Sequence, residues 1–82
     1  MRILFDTSVL VAALIETHPM HKSAFARLKR VVERADEGFV SAHSVAELYA
    51  VLTTLPVHPT ISANQAEELI KHNIVRHFQV VP

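Results

Sequence analysis

Two carboxylates, Asp6 and Glu47, each stand near a point where an apolar run gives way to a helix start. Asp6 closes Ile3-Leu4-Phe5 and is followed by Thr7-Ser8 and a second apolar run. Glu47 follows Phe39-Val40 and lies within Ser44-Val45-Ala46-Glu47-Leu48. If the two runs are neighbouring parallel strands, both carboxylates emerge at one edge of the sheet. Ligands of open α/β sheets bind at that carboxyl edge. Two converging carboxylates there suit a hard divalent cation bound through oxygen. The chemistry this predicts is metal-assisted hydrolysis of a phosphodiester.

Simpler roles compete for the same residues. Glu47 is three residues after Ser44, the spacing of a capping box, which by itself accounts for a glutamate there. Asp6 or Ser8 can serve as an N-cap, and Thr7 and Ser8 are common cap residues. A carboxylate after a buried strand is nevertheless harder to dismiss than a surface one, because burying an unpaired charge is costly. The six histidines do not make a metal site by spacing. His18 and His21 flank Pro19, His72 and His77 share no clean helix face, and neither pair has a clear third ligand. His43 precedes Ser44 and reads as an exposed turn histidine that could lie near a bound phosphate. Lys22, Arg27, Lys29, Arg30 and Arg34 can contact RNA phosphates, but Glu33, Asp36 and Glu37 dilute the patch.

The elements that must position these groups belong to a chain of 82 residues, one domain or part of one. So small a domain buries a modest share of its surface, roughly 60% at about 60 residues. Half the residues are apolar and mean hydropathy is +0.26. That excess is expected to be hidden against a partner subunit. Eight basic residues balance eight acidic ones, so no net field draws nucleic acid or anionic membrane. With no cysteine, disulfides, thiolate nucleophiles and cysteine zinc sites are excluded; a reducing cytoplasm is compatible with this. Met1-Arg2 and the apolar stretch to Ile15 faintly resemble a signal peptide, but Asp6 interrupts it and no cleavage site follows. The run Val9 to Ile15 is too short to span a bilayer, and no membrane partner is expected.

Arg2 to Phe5 predicts a strand covered on both faces, and Val9 to Ile15 a largely buried helix. Residues 21–35 predict an amphipathic helix with Phe25, Leu28, Val32 and Ala35 on its apolar stripe, widened by Val31. Gly38, the only glycine, is placed to end that region. Phe39 to Ala42 predicts a second strand, and Ser44 opens a helix with Val45, Leu48, Tyr49 and Leu52 inward. Val57 to Ile61 predicts a loop, Ser62 and Gln65 a capping box for a fourth helix, and Phe78 to Val81 a third strand. The order β-α-α-β-α-α-β argues for a parallel sheet with right-handed crossovers. One glycine cannot build a phosphate loop or a dinucleotide fingerprint.

The blocks Ile3-Leu4-Phe5-Asp6-Thr7-Ser8-Val9-Leu10 and Phe39-Val40-Ser41 through Ser44-Val45-Ala46-Glu47-Leu48 resemble the first two conserved blocks of PIN domains. The resemblance is closest to the VapC-type toxins of toxin–antitoxin pairs. It implies a three-layer, Rossmann-like α/β fold with a parallel sheet, of which residues 1–82 form a single partial domain carrying strands in the order 3-2-1. It implies a Mg²⁺- or Mn²⁺-dependent endoribonuclease in which Asp6 and Glu47 are the catalytic, metal-binding carboxylates. Thr7 and Ser8 would support them by bonding a carboxylate or the cation's water shell. The implied partners are an RNA substrate, an antitoxin protein and a second copy of the chain, in the cytoplasm. The family's later acidic residues have no counterpart before Pro82, so activity of these residues alone is not expected to be complete. The alternative is a non-catalytic half-domain that self-associates or binds antitoxin. The first strand, central in the whole fold, then lies at an edge and invites pairing with another chain.

Overall fold

The computed structural model describes residues 1–56 and 60–82. Its elements are β1 (Arg2–Phe5), α1 (Thr7–Leu14), α2 (His21–Val32), β2 (Glu37–Ser41), α3 (Ala42–Thr54), α4 (Ala63–Ile70), a π-helical turn (Lys71–Val75) and β3 (Phe78–Val81). The three strands form one parallel sheet with β2 in the centre. Flanking helices complete an α/β fold, as expected from the alternation of elements. The expected loop Val57 to Ile61 lies partly outside the described residues.

Register explains which side chains share a face. Ile3 pairs with Gly38 and Gly38 with Phe78; Phe5 pairs with Val40 and Val40 with Val80. Alternation along each strand puts these on one side of the sheet. Phe5, Gly38, Val40 and Phe78 are buried there. They meet Leu10, Leu28, Val31, Leu48, Leu52 and Ile74 in a single core. The opposite side carries Leu4, Phe39, Gln79 and Val81, none of them buried. Leu4 is 68% exposed. The expectation that β1 is covered on both faces is therefore corrected: β1 is an edge strand, and only the face of Ile3 and Phe5 meets the core.

Gly38 does not terminate α2. It lies inside β2, where a Cβ would come within 2.6 Å of the Phe78 ring and 2.8 Å of Val31 Cγ1. Its missing side chain admits that ring, which stands edge-on to Phe5 with centroids 4.8 Å apart. Helix α2 ends earlier, at Val32, through Arg34 in the left-handed region at φ 64°. The Ala35 N–H reaches the Arg30 carbonyl at 2.8 Å and the Arg34 N–H reaches Val31 at 3.0 Å. That pair of bonds is a Schellman closure made without glycine.

The earlier end also shifts the apolar stripe. Ala24, Leu28 and Val31 are buried, whereas Phe25, Val32 and Ala35 are exposed. Phe25 lies over the His21 ring instead of in the core. Tyr49, expected inward on α3, is 40% exposed. Three-residue spacing alone leaves the phase of a helix open by one position, and packing against the sheet settles it. Ser62 and Gln65 do form the expected capping box, with bonds of 3.1 and 2.9 Å. β3 has the expected limits.

Candidate active site

The first carboxylate is placed by the turn from β1 into α1. Asp6 has extended backbone angles and is the N-cap of α1. Its Oδ1 accepts the Val9 N–H at 3.0 Å and the Ser8 hydroxyl at 2.9 Å. The Val9 N–H, and after it the Ser8 hydroxyl, hold the Asp6 carboxyl below the ordinary carboxylate value, against a smaller opposing effect of desolvation. Such bonds favour the charged form. The negative charge also sits at the positive end of the α1 dipole. Asp6 is thus a helix cap and an exposed anion together; Oδ2 has no hydrogen-bond partner among the described residues.

The second carboxylate is placed by the turn from β2 into α3. That helix begins at Ala42, and its cap is Ser41, whose hydroxyl accepts the Ser44 N–H at 3.0 Å. The expected start at Ser44 is therefore corrected by three residues, and the strand ends at Ser41 instead of Ala42. With Ser41 as the cap, Ser44 holds the third helical position, and Glu47 is too far along the helix to close a capping box. The competing explanation of Glu47 falls with it.

Glu47 is engaged elsewhere. The Thr7 hydroxyl donates to Glu47 Oε1 at 2.7 Å, joining residues 40 positions apart. Thr7 directly follows Asp6, so this bond brings Glu47 to the tip of β1, beside the other carboxylate's backbone. Its Oε2 lies 3.8 Å from His43 Nε2. Ser8 serves Asp6 and Thr7 serves Glu47, so the two expected supporting hydroxyls hold one carboxylate each.

The donor set fits a hard divalent cation. One oxygen of each carboxylate is tied to a protein donor, while Asp6 Oδ2 and Glu47 Oε2 make no hydrogen bond among the described residues. Mg²⁺ in particular is commonly held by one or two carboxylates, with waters and phosphate completing its shell. No group of three or more histidine, aspartate or glutamate side chains suited to a metal occurs among the described residues.

The surroundings are open. A groove of about 360 Å³ runs between α1 and α2, lined in part by Ser8, Val9, His18, Ser23 and Arg27. Ser8 connects it to Asp6, and Arg27 puts a cation on its wall. A larger hollow of about 560 Å³ lies along α4, with Ile61, Leu69 and the Glu68–His72 pair, and contains neither site carboxylate. Two further histidines are locally engaged: His18 Nδ1 accepts the Met20 N–H, and His21 Nδ1–H donates to the Ala12 carbonyl.

A family model described as a PIN domain matches residues 2–80. The chain belongs to the PIN-domain family. No curated protein and no solved structure matches it. The three-stranded parallel sheet with flanking helices is consistent with that membership. PIN domains are nuclease-type proteins that generally use divalent metals. Among the described residues, no helix is long and apolar enough to cross a membrane.

Two features of this PIN domain escaped sequence reasoning. The Thr7–Glu47 bond depends on two turns meeting in space, and nothing at position 7 or 47 alone announces it. Ser41 as the cap of α3 was legible in principle, because Ser-Ala-His-Ser offers two serines three apart and either can accept.

Proposed function

We propose that this PIN domain is a VapC-type toxin, a metal-dependent endoribonuclease acting on RNA phosphodiesters, with Asp6 and Glu47 as its catalytic, metal-binding carboxylates. The observation that carries this reading is the Thr7–Glu47 hydrogen bond, which draws the second carboxylate to the turn that bears the first. Asp6 Oδ2 and Glu47 Oε2 would hold Mg²⁺ or Mn²⁺. When bound, the cation supplies charge stabilisation at the phosphate oxygens and acidifies a water. Ser8 and Val9 fix Asp6, Thr7 fixes Glu47, and Arg27 offers a phosphate contact along the groove that begins at Ser8. The partners in this reading are RNA, a cognate antitoxin and a second copy of the chain, and the setting is the cytoplasm.

A second reading is supported by one specific observation. No group of three or more histidine, aspartate or glutamate side chains suited to a metal occurs among the described residues, so the proposed donor set stops at two carboxylates. This favours a non-catalytic PIN half-domain that serves self-association or antitoxin binding.

RNA cleavage with Mn²⁺ separates the two. Asp6→Asn keeps a good cap while removing the charge, so folding changes by less than about 1 kcal/mol. In the nuclease reading, Asp6→Asn and Glu47→Gln each lower cleavage by about a hundredfold or more. Equal cleavage by the wild type and both variants removes the proposed site. Absence of cleavage in the wild type, with tight capture of an antitoxin encoded nearby, establishes the binding module.

A further inference from the structure

Met20, the N-cap of α2, and Ser23 and Arg27 within it are spaced three and four apart, so they share one face of the helix. Opposite them α1 presents Ser8 and Val9, and the turn between the helices supplies His18. These six side chains border the groove of about 360 Å³ between α1 and α2, and no carboxylate lines it. The hollow along α4 is bordered by Glu68, and another at the amino end of the sheet by Asp36 and Glu37. Those carboxylates repel a polyanion; the α1–α2 groove offers it a cation instead.

The groups on its wall differ in what they leave free. Arg30, on the same helix, is tied to Asp36, whereas Arg27 has no ion-pair partner among the described residues. Its guanidinium donors are open to an anion. His18 Nδ1 accepts the Met20 N–H at 3.0 Å, so the neutral ring carries its proton on Nε2 and keeps that N–H as a donor. The Met20 side chain is 59% exposed, a large apolar group at the rim. Its thioether packs favourably against an aromatic ring. The Ser8 hydroxyl donates to Asp6 at 2.9 Å, so the groove opens at the turn that bears the first carboxylate. A cation, a neutral donor and an apolar platform thus lie together in a hollow near the lower end of small-ligand pockets, which begin at about 300 Å³.

We infer that the groove between α1 and α2 holds one unpaired nucleotide of the RNA, beside the phosphate at the Asp6 turn. Arg27 binds the phosphate of that nucleotide, Met20 lies against its base, and His18 Nε2–H donates to an acceptor on the base edge. An unstacked base in a single strand exposes both its face and its edges, and a duplex hides the face. The groove therefore selects single-stranded RNA. The inference takes its ligand from the RNA reading proposed above and assigns it contacts outside the carboxylate pair.

The probe is a short fluorescein-labelled single-stranded RNA of mixed sequence. Anisotropy reads its binding to the Asp6→Asn chain in EDTA, where neither cleavage nor a cation enters. Adding Arg27→Gln weakens binding by about tenfold and lowers the slope of log K against log salt by about 0.7, the share of one phosphate on a single strand. Lys71→Gln, the same loss of charge outside the groove, changes binding less than about twofold. Ser23→Trp fills the groove from an exposed position and weakens binding as Arg27→Gln does, and the same RNA annealed to its complement binds about tenfold more weakly. Urea midpoints show that each variant is folded. Equal losses in Arg27→Gln and Lys71→Gln overturn the inference, as does undiminished binding in folded Ser23→Trp. Failure to bind RNA, with an aspartate-rich peptide captured through Arg27, also overturns it. If any of these accompanies Mn²⁺-dependent cleavage that needs Asp6 and Glu47, the inference fails and the nuclease reading stands. If the groove binds RNA as described and the wild type does not cleave it, the nuclease reading fails and the inference stands.

Discussion

At the scale of single residues, each carboxylate at the sheet edge has its own hydroxyl. Thr7 is the more consequential of the two, because it is the only side chain seen to join the β1 turn to α3 by a hydrogen bond among the described residues. Thr7→Val keeps the shape and removes the donor. Under the proposed nuclease function, cleavage by the variant is expected to fall about tenfold, because a misplaced catalytic group loses rate steeply. Thr7→Ser is expected to retain most of it. Thermal unfolding of Thr7→Val should move little, since an exposed hydrogen bond contributes about 1 kcal/mol or less. A second residue-scale prediction concerns Asp36, the one buried acidic side chain among the described residues. Arg30 Nε donates to it at 2.8 Å, and the Met1 amino group lies at 3.5 Å. The Arg30 hydrogen bond lowers the Asp36 pKa from the ordinary 3.8, against an opposing effect of desolvation. A depressed folded-state pKa contributes stability above the unfolded value, and that stability is lost as pH falls through the folded value. Asp36→Asn should therefore be less stable than wild type near neutral pH in urea, and the difference should narrow at pH values below 3.8.

At the scale of elements, the site is made by two strand-to-helix turns and the contact between α1 and α3. Each turn has an internal cap, Asp6 in one and Ser41 in the other. The capping signals were legible in the sequence, but the choice between Ser41 and Ser44 was not. Both satisfy local hydrogen-bonding chemistry, and the end of β2 pairing decides between them. Gly38 shows the same limit. A lone glycine between a helix and a strand reads as a helix terminator, yet the steric demand on it comes from Phe78, 40 residues away. Gly38→Ala is expected to destabilise by about 1–3 kcal/mol, because an aromatic ring and a branched valine must both shift. The shift in urea midpoint measures this. A midpoint equal to that of wild type would show that the sheet relaxes around the methyl.

At the scale of the whole molecule, the sheet is buried on one face and open on the other. Leu4, at the β1 edge, is the most exposed apolar side chain within the strands. Edge strands with free backbone groups pair with other chains unless blocked. Under the proposed self-association, the wild type sediments as a dimer at micromolar concentration, and Leu4→Lys moves the equilibrium to monomer. A compact wild-type monomer under those conditions would remove dimerisation through β1. Antiparallel pairing of two β1 strands would carry the two Asp6 carboxylates to opposite ends of the joined sheet, so assembly and completion of the proposed metal site are separate questions.

The linear order of residues determined the class of fold, the third strand and the cap at Ser62, and it singled out both carboxylates as candidates. These follow from periodicity, capping chemistry and motif, all of which act over a few neighbouring residues. Tertiary structure decided which face of α2 is buried, why Gly38 lacks a side chain, and what Glu47 touches. Each of those depends on contacts between segments distant along the chain, where a shift of one position in phase or three in a cap changes the neighbour without changing the local pattern.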